Sequence, residues 1–162
     1  MKNLKTPEQV AQENKDGKQL LTAIKEMIKT PVLRKEGFEK LLEIDSDLLS
    51  VENQVYYYYI KGRYHLLEFK NSTDKEDLEL LYRADDCYND MVTIAYQNDM
   101  NIPDPKFHFA RAYAKYLIAL NHSSDEVKKK LIHKAKQIIG RVLCYQPKNP
   151  SCLWLQKQLQ EV

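Results

Sequence analysis

The chain is poor in the residues that break or cross-link a fold. Among 162 residues there are four glycines and six prolines, and the prolines sit at the edges of periodic segments. No stretch alternates apolar and polar residues between turn dipeptides, so strands are not expected. The cysteines Cys87, Cys144 and Cys152 form an odd set with no Cys-x-x-Cys spacing. Free thiols in a reducing cytoplasm are their expected state. No run approaches the ~18 apolar residues of a membrane span. The first residues, MKNLKTPEQVAQENKDGK, also lack the apolar core of a secretory signal. A cytoplasmic protein without membrane contact is therefore expected.

Signatures of catalysis are equally scarce. His65, His108, His122 and His133 share no ligand spacing with one another or with the cysteines. Asp85, Asp86 and Asp90 lie on one predicted helix without a partner histidine and read as a solvated face. Cys87 has no neighbouring base to lower its pKa. There is no phosphate loop and no serine elbow. The chain is not expected to be an enzyme or to carry a metal or cofactor.

What the chain does have is helical periodicity. Val55–Phe69, VYYYYIKGRYHLLEF, is apolar on nearly every side. A helix of that kind is packed on several faces. Gly62 in its middle costs roughly 1 kcal/mol against alanine, a cost that close approach of a neighbouring helix offsets. The sequence thus places this helix at the centre of an all-α array. Length is consistent with one domain, residues 17–162, preceded by a flexible or frayed segment, 1–16.

Six other helices follow from apolar spacing and stop signals. Thr6-Pro7-Glu8-Gln9 has capping-box spacing, but only Val10 and Ala11 are apolar before Gly17. The first packed helix is therefore Gly17–Lys29, burying Leu20, Leu21, Ile24, Met27 and Ile28. Val32–Leu49 is the second, with Leu33, Phe38, Leu41, Leu42 and Ile44 inward, and Ser50 caps the central helix. A capping box at Thr73 and Glu76 opens the fourth, which runs to about Gln97. Asp104-Pro105 starts the fifth, Lys106–Leu120, which buries Leu120 among others. Ser123 with Glu126 caps the sixth, whose Val127–Leu143 stripe is the cleanest amphipathic pattern present. Asn149-Pro150 opens the seventh, with Leu153, Trp154, Leu155 and Leu159.

Charge is distributed in blocks. Net charge is +2 overall, but residues 71–105 carry 2 basic and 9 acidic side chains, and residues 106–148 carry 10 basic and 2 acidic. Contact between the acidic fourth helix and the basic sixth is the expected use of that asymmetry.

Phe109-Ala110-Arg111-Ala112-Tyr113 resembles the Leu-Gly-x-Ala-Tyr core of the tetratricopeptide repeat's first helix. Ala135, Ile139, Val142 and Pro147 have the spacing of that repeat's second helix. Gly62, Tyr58 and His65, then Ala84, Tyr88 and Met91, repeat the pattern, as do Gly37, Leu41 and Ile44. The chain departs from it as well. The hairpins at 50–100 and 106–147 exceed the ~34-residue standard, Lys61 stands at a Leu position, and the connector at 97–105 puts its Pro out of register. The resemblance implies three antiparallel helical hairpins plus a C-terminal capping helix, stacked as a right-handed superhelix.

It also implies a protein-interaction module or scaffold, with a concave groove lined by the first helix of each hairpin. By register, Tyr56, Tyr59 and Arg63 would meet Phe107, His108, Arg111 and Lys115 there. These side chains would hold an extended peptide or partner helix, through an acidic residue or terminal carboxylate. The asparagines of the carboxylate-clamp repeats are absent. Two other readings stand beside this one. The basic face formed by Lys130, Lys134 and Arg141 could associate with nucleic acid. The domain could instead self-associate as a homo-oligomer, or fill its groove with its own N-terminus.

Overall fold

Among the described residues seven α-helices carry the fold, and most begin at a side-chain cap. The structure, a computed structural model, describes residues 4–72 and 77–162. The helices are α1 (Pro7–Lys29), α2 (Arg34–Leu42), α3 (Val51–Asn71), α4 (Leu78–Gln97), α5 (Pro105–Asn121), α6 (Asp125–Tyr145) and α7 (Pro150–Gln160). Short 3-10 turns at Pro31–Leu33 and Ser46–Leu48 complete them. No strand occurs among the described residues, and no helix there is long and apolar enough to cross a membrane.

Helix starts follow the caps. The Thr6 capping box is fully formed, so α1 is helical from Pro7, well before the Gly17 start expected. Every described residue before Gly17 is nevertheless exposed. Asp104 and Asn149 cap α5 and α7, accepting from the Lys106 and Cys152 amides at 3.0 and 3.1 Å. On α6 the cap is Ser124, not Ser123, because the His122 ring holds the Ser124 amide at 2.9 Å and delays the helix by one residue. The box expected at Thr73 and Glu76 lies outside the described residues.

The second helix is shorter than its periodicity implied, ending at Leu42. Asp45 adopts extended backbone and its carboxylate accepts from the Asp47 amide at 3.1 Å. A short acid that bonds its own backbone competes with the helix ladder. Leu42, Leu20, Leu33, Leu120, Leu153 and Trp154, expected inside, are substantially exposed.

The helices pair as antiparallel hairpins, α1 with α2, α3 with α4 and α5 with α6, and α7 lies on α6 and α5. The first helices also meet side by side, α1 with α3 and α3 with α5. The acidic and basic helices α4 and α6 do not pack on each other. The expected charge contact between them is absent, because α5 stands between and packs against both. Arg34 Nε donates to the Ile28 carbonyl at 2.8 Å, closing α1 against α2. Asn53 Nδ2 donates to the Asn14 carbonyl at 2.9 Å, tying α3 to α1.

Two apolar clusters result, and α5 belongs to both. Ala110, Ala114 and Ile118 face the cluster built on α1, α3 and α4. Ala112, Tyr116 and Ala119 face the one built on α6 and α7. Small residues on both sides let α5 serve two neighbours at short distance.

The centre is α3 against α4. A β-carbon added at Gly62 would lie 2.5 Å from Cε1 of Tyr88, whose ring is fully buried. Gly62→Ala should therefore lower stability by about 1–3 kcal/mol through overpacking. Gly140→Ala on α6, where nothing lies within 4 Å, should raise it by up to about 1 kcal/mol. Thermal and urea unfolding of the two variants checks both signs.

His65 of α3 is buried, edge-on to Phe38 of α2 at 5.6 Å, and its Nδ1 has no hydrogen-bond partner among the described residues. Burial, then the positive charges of Arg83 and Lys61, lower its pKa to about 4. The folded state thus binds fewer protons than the unfolded one between pH 4 and the unperturbed ~6.5. Its contribution is full above that window and lost as pH falls through it, up to roughly 3 kcal/mol. A His65→Leu variant should lack this component. Urea unfolding at stepped pH should show wild-type stability falling faster than the variant's from pH 7 to 4. Parallel curves would refute the assignment.

Candidate functional site

The seven residues expected to line one groove are divided among three environments. Tyr59 is buried, with its ring 4.4 Å from that of Phe107 and 6.4 Å from that of Tyr88. Burial raises its pKa, against the opposing charge of Arg63. Tyr59 is thus a core residue rather than a groove surface. Lys115 is buried too, and its Nζ binds Asp85 Oδ1 of α4 at 2.6 Å. A lysine committed to an internal ion pair does not present its charge to a peptide.

Arg63 and Arg111 lie on opposite sides of α5. Arg63 shares a stripe of α3 with Lys70, whose Nζ lies 5.1 Å above the Tyr113 ring, so Arg63 is on the Tyr113 side of α5. Arg111 precedes Tyr113 by two positions, a rotation of ~200° on the helix. It lines a different cleft with His108 and Arg141. The converging clamp of Arg63, Arg111 and Lys115 therefore does not form. The register argument failed because it assumed that one stripe of α5 faces outward, whereas α5 is covered on both flanks.

What the structure assembles instead is an aromatic and cationic surface across the first helices. Tyr56 is half-buried, bonded through its hydroxyl to Thr22 Oγ1 at 3.3 Å, and stacked on Phe107 at 6.3 Å between ring centres. Lys25 of α1 lies 5.7 Å above the Tyr56 ring, and Lys106 lies 5.6 Å above that of Phe107. Further along, Lys70 lies 5.1 Å above the Tyr113 ring, which stacks on Phe109 and Tyr116 and meets Trp154 of α7. Cations over aromatic faces are held by the ring quadrupole.

Charge on this surface is not balanced internally. Lys18 pairs weakly with Glu52 at 3.9 Å, and Lys106 with Asp104 at 3.6 Å. Among the described residues no carboxylate lies within 4 Å of Lys25, Arg63 or Lys70. Arg63 and Lys70 stand two turns apart on one stripe of α3. Burial and the nearby Arg63 charge both lower the Lys70 pKa. A depression of about 570 Å³ at the near end is walled by Lys18, Tyr56, Phe107 and the connector residues Met100–Asp104.

That connector is rigidly made. Asp99 takes positive φ (52°), the Met100 amide reaches back to the Ala95 carbonyl at 2.8 Å, and the Asp99 amide reaches Tyr96 at 3.2 Å. This is a Schellman closure with Asp in the position glycine usually fills. It sends the chain back across α5, so that Met100 and Ile102 separate the two depressions.

The basic face of α6 is also split. Lys130 pairs with Glu126 at 3.2 Å, Lys134 is exposed, and Arg141 belongs to the cleft beside Arg111. Sequence reasoning missed Lys25, Lys70, Tyr113 and Trp154 as surface components. The seven-residue spacing of Arg63 and Lys70 was the available signal. Cys87 is buried and its thiol is pushed up to about 11, chiefly by burial, so it is not a thiolate at neutral pH. Among the described residues no three His, Cys, Asp or Glu side chains are placed to hold a metal ion. Compared with family models, characterised proteins and solved structures, the chain matches none.

The Asp85–Lys115 pair makes an asymmetric prediction. Removing either partner of a buried pair typically costs about 3–5 kcal/mol. Asp85→Ala leaves Lys115 unpaired and removes the negative charge that Arg111 feels, whereas Lys115→Met leaves Asp85 still acting on Arg111. Asp85→Ala should therefore be the more destabilising by urea unfolding, and the reverse order would overturn this view of the charges.

Proposed function

We propose that the chain is a non-enzymatic protein-interaction module, a divergent tetratricopeptide-like array. Its first-helix surface holds an extended acidic segment of a partner protein. The observation that carries this reading is the cationic stripe of Arg63 and Lys70, which has no described carboxylate within 4 Å, set against exposed and half-buried aromatic rings. A carboxylate docking there gains charge-assisted hydrogen bonds in a partly desolvated setting, where screening by water is reduced. Aromatic side chains beside it, Tyr56, Tyr113 and Trp154, supply contact area at little entropy cost. The three free cysteines, one of them exposed, suit a reducing compartment such as the cytoplasm.

Selection of a random peptide library on the intact protein tests the reading. The expected ligands pair an acidic residue with an aromatic or aliphatic one. Their affinity should fall by tenfold or more, roughly the loss of one charged hydrogen bond, in the double variant Arg63→Gln/Lys70→Gln. The variant's melting temperature should stay near that of wild type. Ligands without acidic preference, or ligands that bind the variant equally well, overturn the proposal. Single-stranded RNA captured with steep salt dependence would replace it with a nucleic-acid reading centred on Lys130, Lys134 and Arg141.

A further inference from the structure

On the other side of α5, a second cleft of about 420 Å³ opens between α4, α5 and α6. Its walls are apolar, formed by Val92 and Ala95 of α4 and by Ile138 and Val142 of α6, with Met100 and Ile102 of the connector at one end. The absence of packing between α4 and α6 leaves this space open. Tyr96 and Tyr145, both exposed, stand at its edge. The size is within the range of small-molecule sites, roughly 300–1,000 Å³.

Two cations face this apolar space. Arg111 and Arg141 both line the cleft. Arg111 Nε is sealed from solvent and has no hydrogen-bond partner among the described residues. No described carboxylate lies within 4 Å of either guanidinium, because Asp85 is already bound by Lys115 at 2.6 Å. His108, also in the lining, has its Nε2 engaged at 2.8 Å with the Ile102 carbonyl. Burial and the neighbouring Arg141 charge both disfavour the Arg111 cation, and Asp85 offsets them only in part. A desolvated donor with no acceptor, beside a second cation, is costly in the free protein. An anion placed between the two guanidinium groups removes that cost.

We propose that this cleft binds a small oxyanion carried on an apolar body, such as an organic carboxylate, sulfonate or phosphate ester. Arg111 and Arg141 hold the oxyanion, and Val92, Ile138 and Val142 receive the body. The apolar walls and the volume select against a bare inorganic ion. Planar guanidinium forks match the paired oxygens of such groups. This site is separate from the first-helix surface and does not depend on its partner.

Naphthalenesulfonate, the uncharged naphthalenemethanol and inorganic sulfate are the probes. Binding to the intact protein is followed by calorimetry, and by NMR of the Arg111 Nε–H and the Val92 and Ile138 methyl groups. The expected result is saturable shifts at all three residues with naphthalenesulfonate, and affinities at least about tenfold weaker for the alcohol and for sulfate. Arg141→Met should weaken sulfonate binding by a similar factor. Arg141 is exposed, so that variant folds even if Arg111→Met does not. Absence of saturable binding overturns the proposal, as does sulfonate affinity unchanged by Arg141→Met. Equal binding of the alcohol would mark an apolar cleft only, and equal binding of sulfate an adventitious ion only. Either of these also overturns it.

Discussion

The contact on which the arrangement depends is a missing side chain. Gly62 leaves room for the Tyr88 ring, and no β-carbon could occupy that position without moving a fully buried aromatic. The ring fixes the spacing of α3 and α4. It also passes the constraint outward, because Tyr59 lies 6.4 Å from it and Phe107 lies 4.4 Å from Tyr59. One glycine thus sets the position of α5 as well as that of α4. Aromatic pairs of this kind add stabilisation beyond the area they bury, and Tyr57, Tyr59 and Tyr88 are buried within an otherwise mainly aliphatic core.

Helix α5 is the shared wall, and its composition follows from that duty. Ala110 and Ala114 on one flank, and Ala112 and Ala119 on the other, keep both neighbours close. Little of the helix is left to face solvent. The polar side chains it carries must therefore be satisfied inside the fold or point into a cleft. Lys115 takes the first course with Asp85, and Arg111 the second.

The same geometry governs the charges. Acidic α4 and basic α6 are held apart by α5, so the blocks of opposite sign do not neutralise each other through contact. Cations with no described carboxylate within 4 Å remain on both sides of α5, Arg63 and Lys70 on one and Arg111 and Arg141 on the other. Each group sits beside apolar or aromatic surface, where water screens it less than on an open helix face. Two separate regions of positive charge are the consequence.

Helix identity was legible in the residues, since caps at Thr6, Ser50, Asp104 and Asn149 and the periodicity of α3 and α6 are local properties. The close neighbour of Gly62 was legible too, because a glycine inside an apolar helix needs a packing reason. Hairpin pairing was implied by the resemblance to a helical-hairpin repeat, and the helices do pair in that order. The site was not legible in the same way. Tyr59, Arg111 and Lys115 were assigned to one groove by spacing on single helices, and spacing cannot say which of several stripes another element covers. Only the tertiary structure decided that α5 is enclosed on two flanks, which buries Tyr59 and Lys115 and sends Arg63 and Arg111 to opposite sides. Local sequence determines where a helix starts, stops and repeats its apolar positions. The direction in which a charge finally points depends on residues far away in the chain, through burial and through the one carboxylate, Asp85, that reaches Lys115 first.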